Sequence, residues 1–285
     1  MLWLLIIFFV PTQAVVEMEQ SDWKYLESHP IKNTMSFSDY DLQKIVSEEW
    51  STMTSLCPTL DTNANIHASF DQSLKGTNTL AWASQTMFIS GSMWFPALID
   101  PFYNGYDFRI GVNPDPPNGW YDGDCSDISY RYDLRTVIRH EILHGMGLAS
   151  SISYNTGWSV GTYQMSFCFP RLFDTKIKDK NNNLVVSGCN IGDITDKKLF
   201  VNGVQIYNPT VFNSGSSLSH HNYPGHLFYY RSEPMKCMYL SSYETKMLSE
   251  VGILCLSDQR ADSKPMTESI LLLLTCFCTL LFLLV

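Results

Sequence analysis

One short stretch of the chain combines residue types that could do chemistry. It has the spacing His-Glu-x-x-His, followed after two residues by glycine, and is formed by His140, Glu141, His144 and Gly147. Each residue of an α-helix turns by about 100°, so His140 and His144 lie one turn apart on one face. Both imidazoles can then bind one Zn²⁺ ion, while Glu141 acts as general base toward a bound water. The spacing therefore predicts a zinc site; the alternative is a surface helix with two solvated histidines.

The flanking residues favour the helix that this spacing requires. Asp133 precedes it and is a good N-cap residue. Apolar residues follow at helical spacing, namely Leu134, Val137, Ile138 and Ile142. Gly147 stands where a helix would end in a left-handed residue. We therefore expect a helix with an apolar face beside its histidine face.

Two histidines do not complete a catalytic zinc site, which normally has three protein ligands. A second group of histidines lies downstream, and His220, 220 − 144 = 76 positions after His144, is the first candidate. His221 is the second candidate and His226 the third. Adjacent residues on an extended strand face opposite ways, so a histidine pair can seldom serve one ion. Carboxylates are alternative ligands, namely Glu233, Glu244, Glu250 and Asp174, whereas His67 is expected to be structural.

The motif resembles that of the metzincins, a class of zinc metallopeptidases with the pattern H-E-x-x-H-x-x-G-x-x-H. His140, Glu141, His144 and Gly147 fill four of its fixed positions, and Ser150 stands where the last histidine would fall. Leishmanolysin-like metzincins separate their third histidine by a long insertion, and many carry a lipid anchor. The chain looks like this subgroup on both counts.

The resemblance implies which residues complete the site. The segment Ser-Leu-Ser-His220 resembles the one that carries a histidine in related secreted proteins, although Asn222 replaces an aspartate often found there. The class also has a methionine turn beneath the metal, for which Met238 is the first choice and Met235 the second. The resemblance thus implies zinc bound by His140, His144 and His220, with Glu141 as the catalytic base.

The rest of the chain reads as one domain over residues 39–256. Helical periodicity covers residues 39–50, strand-like alternation covers 65–70 and 106–112, and a proline-rich loop follows at 113–117. After the zinc helix come short strand-like pieces at 184–187 and 199–206. This mixture predicts an α+β, zincin-like fold, with a twisted sheet, a zinc-binding helix and an irregular C-terminal lobe across a cleft.

Composition limits the classes of partner. The chain has 285 residues, of which 45% are apolar, and this is enough for one large core or two small ones. Its net charge is −9, and no block of lysine or arginine occurs. Nucleic acid is therefore not expected as a partner, and neither is an anionic membrane held by charge.

Both ends of the sequence indicate a secretory route to the cell surface. Residues 1–14 have an apolar run and a small-residue cleavage site, which is typical of a signal peptide, and a segment 15–38 precedes the domain. Residues 257–285 end in an uncharged apolar tail, Ile270–Val285. Small residues and a polar spacer before the tail predict a GPI-anchor signal, with attachment near Ala261, Ser257 or Asp258. A short transmembrane anchor is the alternative.

Cysteine usage agrees with an oxidising compartment. Two cysteines, Cys276 and Cys278, lie in the tail. The remaining six are Cys57, Cys125, Cys168, Cys189, Cys237 and Cys255. We expect three disulfides, with the pairing open. As an alternative, Cys57 could be a pro-region thiol that binds the zinc.

Together these features predict a secreted or surface-anchored zinc metalloendopeptidase that hydrolyses protein or peptide substrates. A protein of another class, a surface adhesion or binding protein with a purely structural zinc, is the alternative. Glu141 argues against the alternative, because a structural site has no need of that carboxylate.

Overall fold

A computed structural model describes residues 14–17, 38–100, 103–128, 130–155, 162–165 and 169–262. Within these ranges the predicted α+β character is confirmed. The predicted signal peptide up to residue 13 and the apolar tail lie outside the described residues. Among the residues that are described, no helix has the length and apolar character needed to cross a membrane.

The described helices are α1 (Asp39–Leu56), α2 (Leu134–Gly145), α3 (Ser242–Glu250) and α4 (Gln259–Asp262). The strands before α2 are β1 (Ala14–Glu17), β2 (Ile66–Phe70), β3 (Thr79–Gln85), β4 (Met87–Ser90), β5 (Met93–Pro96), β6 (Phe108–Val112), β7 (Trp120–Tyr121) and β8 (Tyr132–Asp133). Those after it are β9 (Ile152–Asn155), β10 (Thr162–Met165), β11 (Lys178–Asp179), β12 (Val186–Ser187), β13 (Asn190–Ile191), β14 (Leu199–Val201) and β15 (Val204–Ile206).

A four-stranded sheet in the order β1-β3-β6-β2 supports the two long helices. Strand β3 runs antiparallel to β1 and β6, whereas β2 is parallel to β6. Helix α1 packs on β2, helix α2 packs on β3 and β6, and the two helices contact each other. The pairing of β1 with β3 places part of the segment before residue 38 in this sheet.

Helix α1 is longer than the predicted span of residues 39–50. It begins at a capping box, in which Ser38 Oγ accepts the Asp41 N–H and Asp41 accepts the Ser38 N–H. The apolar spacing continues beyond Trp50 to the buried Met53, which carries the helix on to Leu56.

Helix α2 approaches the sheet closely because of one glycine. A Cβ atom built on Gly145 would lie 2.5 Å from the Phe108 ring, a distance that carbon atoms do not tolerate. Phe108 is itself fully buried on β6. The side-chain amide of Gln85 on β3 also donates to the His144 carbonyl at the end of the helix. The sheet therefore fixes the position of the C-terminal end of the helix, where His144 lies.

The chain after α2 is built from short hairpins. Strands β11, β14 and β15 form a small antiparallel sheet. The predicted strand piece at 199–206 is a hairpin, turned at Asn202 and Gly203, which both have positive φ. The piece predicted at 184–187 is reduced to β12, which pairs with β13.

Disulfide bonds join distant parts of the chain, as the cysteine usage predicted. Cys57 pairs with Cys255, and Cys125 pairs with Cys237. Cys189 is also disulfide-bonded. The alternative role of Cys57 as a zinc-binding thiol is wrong, because its sulfur is bonded to Cys255.

Candidate metal centre

The helix that carries the His-Glu-x-x-His motif begins and ends as expected. Asp133 is its N-cap, and its carboxylate accepts the Thr136 N–H at 2.9 Å and the Thr136 hydroxyl at 2.6 Å. Beyond its last residue, Gly147 has φ +118°, which favours glycine. The alternative of a surface helix with solvated histidines is wrong, because His140, Glu141 and His144 are 3%, 0% and 1% exposed.

Three histidine side chains converge at one point beside this helix. The Nε2 atom of His220 lies 3.0 Å from that of His140 and 3.1 Å from that of His144. His220 is fully buried as well. Around a tetrahedral ion bound at about 2.0–2.1 Å, the nitrogens would be about 3.3 Å apart. The spacing of the three Nε2 atoms is therefore close to that of metal ligands, and this triad could hold a metal ion.

Backbone carbonyls orient all three rings in the same sense. His140 Nδ1 contacts the Leu227 carbonyl at 2.8 Å, His144 Nδ1 that of Leu148 at 2.7 Å, and His220 Nδ1 that of Ser216 at 2.8 Å. A carbonyl can only accept, so each Nδ1 carries the hydrogen, and the neutral ring keeps its Nε2 lone pair free. The lone pairs of all three rings thus point toward each other.

Burial keeps these rings neutral. It lowers the pKa of His140 to about 4, and it lowers the pKa of His144 and of His220 well below the ordinary value. Three neutral acceptors that all lie within 4.8 Å of one another cannot hydrogen-bond to one another. A cation between them satisfies all three lone pairs at once, and this is the chemical reason why the site fits a metal.

Glu141 lies next to His140 on the helix and is completely buried. Among the described residues, neither of its carboxylate oxygens has a hydrogen-bond partner. Burial raises the pKa of Glu141 well above its ordinary value. Buried carboxylates are normally paired, so an unpaired one is expected where a ligand or water completes its hydrogen bonding.

His220 reaches the helix because neighbouring strands hold its segment on both sides. The Tyr207 N–H, at the end of β15, donates to the His220 carbonyl at 2.7 Å. Leu218 donates to the Tyr207 carbonyl at 2.8 Å and has φ +66°, a conformation that is costly for leucine. Its side chain is fully buried, so core packing maintains this bend two residues before His220.

Ser150, at the position where a contiguous metzincin pattern has its third histidine, serves as an anchor. Its hydroxyl donates to Asp174 at 2.6 Å, and its N–H donates to Ser219 Oγ at 3.1 Å. Asp174 is fully buried and also accepts hydrogen bonds from Ser151 and from the Arg171 N–H. Asp174, an alternative metal ligand in the sequence analysis, therefore anchors the start of the insertion.

The other candidate ligands lie outside the triad. His221 faces away from His220, and its Nε2 lies 2.8 Å from Glu244 Oε1. His226 is half-buried beside Tyr243. Glu244 is fully buried; burial raises its pKa, but hydrogen bonds led by that from His221 outweigh burial and bring the pKa to about 2.

Two other carboxylates and an upstream histidine also lie outside the triad. Glu233 pairs with Lys236, and Glu250 is half-buried at the end of α3. Neither belongs to the group of described side chains that could share an ion. His67 is exposed and rests against Tyr106, 5.1 Å between ring centroids, so it has no part in the centre.

The two methionine candidates differ in burial. Met238 is buried, its N–H donates to Thr136 Oγ1 at 2.8 Å, and its carbonyl accepts from Arg139 at 2.9 Å. It is therefore fixed to the first half of the metal-binding helix. Met235 is 49% exposed and cannot pack beneath a buried centre. Sequence reasoning missed Phe228, whose ring contacts all three histidines.

Charged side chains join the metal-binding helix to α1. Arg139 is buried and pairs with the equally buried Glu49, with Nε 2.6 Å from Oε2. Arg135, one turn earlier, contacts Glu49, Glu48 and Asp122. This network fixes the rotation of α2 and hence the side to which its histidines point.

No protein-family model, no curated protein and no solved structure matches this chain. What the site can do follows from its own geometry.

Proposed function

We propose that this chain is a zinc metalloendopeptidase of the metzincin class with a leishmanolysin-like arrangement of ligands. The observations that support this most are the convergence of His140, His144 and His220 and, on the same helix as the first two, the buried and unpaired carboxylate of Glu141. Three imidazoles and one free carboxylate are the groups that hydrolysis of a peptide bond by activated water requires.

The donor set supports zinc as the ion. Neutral imidazole suits zinc, copper, iron and nickel, whereas magnesium and calcium prefer oxygen ligands. Three protein nitrogens leave one position for water, which is the usual arrangement of a catalytic zinc site. When bound, zinc would polarise the scissile carbonyl and lower the pKa of the attacking water to about 7.

Each residue then has one task. His140, His144 and His220 hold the ion through Nε2, and the carbonyls of Leu227, Leu148 and Ser216 keep their rings oriented. Glu141 takes a proton from the attacking water on its carboxylate and transfers it to the nitrogen of the leaving amine. Burial raises the pKa of Glu141, so its carboxylate is a stronger proton acceptor than an exposed one.

The unpaired Glu141 disfavours the alternative of an adhesion protein with a structural zinc. In a closed structural site the ion has four protein ligands and activates no water. A buried carboxylate without a partner would then cost stability without serving any reaction.

Replacing the proposed base tests this function. Glu141→Gln has the same shape but accepts no proton, so it should retain the metal and lose peptide hydrolysis by a factor of about 10²–10⁴. Glu233→Gln, the same change at a site away from the triad, should leave the rate unchanged. Metal content and cleavage of unfolded protein substrates are measured on the same samples. Hydrolysis by Glu141→Gln at the wild-type rate would refute the mechanism.

We also propose that the protein is secreted and is held at the extracellular face by a GPI anchor. The disulfide bonds support an oxidising compartment. A phosphatidylinositol-specific phospholipase should release the protein from cells, and the released protein should lack residues 270–285. Recovery of the intact apolar C-terminus by mass spectrometry would indicate a transmembrane anchor instead.

A further inference from the structure

One aromatic ring lies equally close to the three histidines. The centroid of the Phe228 ring is 4.9 Å from that of His140, 4.7 Å from that of His144 and 5.0 Å from that of His220. The Phe228 side chain is fully buried. Contact with a single histidine would be ordinary core packing, whereas equal contact with all three places the ring on the axis of the triad.

The distances among the histidine rings show how Phe228 is placed relative to the triad. Their centroids are separated by 5.0 Å, 4.9 Å and 4.8 Å, so the three imidazoles and Phe228 form a nearly regular tetrahedron. The triangle of three Nε2 atoms has two faces. The Phe228 ring lies on the side of one of them, which leaves the other face for the approach of an ion or an exogenous ligand.

The backbone of Phe228 is held by the segment that carries His220. Its N–H donates to Glu244 Oε1 at 3.0 Å, and its carbonyl accepts the His221 N–H at 3.2 Å. Glu244 is fixed in turn by His221 and by the Ser241 N–H, at 2.8 Å each. The carbonyl of the preceding residue, Leu227, orients His140. The backbone at Phe228 is therefore linked both to the segment that carries His220 and to the ring of His140.

We propose that Phe228 is a positioning residue of the metal centre. Its apolar ring, called the floor below, packs against one face of the histidine triangle and closes it. This inference depends on the metal binding proposed above. The floor restricts rotation of the three imidazoles and excludes water from one side. It thereby favours a four-coordinate ion with a single exchangeable position on the opposite face.

Cobalt(II) in the full-length protein is a suitable probe, because its visible absorption is strong for four ligands and weak for five or six. Phe228→Leu should lower the affinity for cobalt and zinc about 10–100-fold, as other supporting residues of metal ligands do. It should also weaken the visible absorption as water enters from the opened face. Phe173→Leu is the matched control, since Phe173 is equally buried. We expect it to lower the melting temperature while leaving the spectrum and the affinity unchanged.

Phe228→Met keeps most of the apolar volume and replaces Phe228→Leu as the test variant if that protein does not fold. It should show a smaller loss of affinity in the same direction. A spectrum and affinity equal to those of the wild type in the Phe228 variants would overturn the inference. So would azide binding to cobalt that appears only after Phe228 is replaced, because the ring would then cover the exchangeable position. If the wild-type protein binds neither metal, the proposed function itself fails first, which separates the two failures.

Discussion

The Ser150 N–H donates to Ser219 Oγ, 3.1 Å away, and so joins the end of the metal-binding motif to the residue that precedes His220. In a contiguous metzincin pattern the third histidine stands at the position of Ser150. The chain instead leaves at this point and returns, 220 − 150 = 70 positions later, to the same place. The entropic cost of a loop grows only slowly with its length, so a single well-anchored return suffices.

The first prediction concerns His220. His220→Ala removes one of three converging nitrogens and should lower zinc affinity at least about 100-fold, whereas His226→Ala should leave it within a few-fold of the wild type. His226, half-buried and outside the triad, is the matched control. Equilibrium dialysis against a zinc chelator measures both affinities.

A double variant tests whether a histidine at position 150, as in the contiguous metzincin pattern, can replace His220. Ser150→His combined with His220→Ala should not regain zinc, because the side chain at position 150 points to Asp174. Recovery of wild-type affinity in the double variant would show that the insertion is not needed to complete the site.

The second prediction concerns Asp174. Asp174→Ala leaves the buried donors of Ser150, Ser151 and Arg171 without their acceptor, and should lower the free energy of unfolding by about 3 kcal/mol or more. Chemical denaturation monitored by tryptophan fluorescence measures the change. A loss below about 1 kcal/mol would mean that water replaces the carboxylate and that the anchor is weak.

The third prediction compares two neighbouring glutamates on α1. Glu49→Ala removes the closest carboxylate partner of the buried Arg139 and should cost about 3–5 kcal/mol of stability. Glu48→Ala removes a largely exposed partner of Arg135 and should cost about 0–1 kcal/mol. Equal losses in the two variants would show that the buried pair does not fix the helix.

The fourth prediction uses the pH dependence of the metal-free protein. Burial raises the pKa of Glu141 in the folded state, so the stability contributed by this group is full below pH 4.5 and is lost as the pH rises. Glu141→Gln lacks this loss. The stability advantage of the variant should therefore widen as the pH increases from about 4.5, as measured by urea denaturation in the presence of a chelator.

The histidines act in the opposite direction. Because burial lowers the pKa of His140 from 6.5 to about 4, stability falls as the pH decreases between these values. This loss is common to the wild type and Glu141→Gln and cancels in the comparison. A gap between the two proteins that stays constant from pH 4.5 to 8 would contradict the unpaired state of Glu141.

Local signals made much of the site predictable. The spacing of His140 and His144, the cap at Asp133 and the left-handed Gly147 all act within one helix, and the structure has the helix between those ends. His220 was selected from a resemblance over four residues, and the structure brings its ring to the other two histidines.

Apart from that of His220, contacts between residues far apart in sequence could not be predicted. The carbonyls that orient the histidines are backbone groups and leave no mark on residue type, and the disulfide pairing depends on the fold. Asn222 stands where related proteins often have an aspartate, and backbone carbonyls orient the three histidine rings in this structure. Phe228 gave no pattern at all, because an aromatic residue eight positions after His220 is ordinary core composition.

The most direct test of the central proposal is the coordination of the bound metal. X-ray absorption at the zinc edge, with anomalous diffraction from crystals of the zinc-loaded protein, locates the ion and counts its ligands. We predict one zinc per chain, bound by Nε2 of His140, His144 and His220 at about 2.0–2.1 Å, with one water oxygen in the fourth position. A shell closed by a fourth protein ligand, or zinc at another site, would contradict the proposed peptidase.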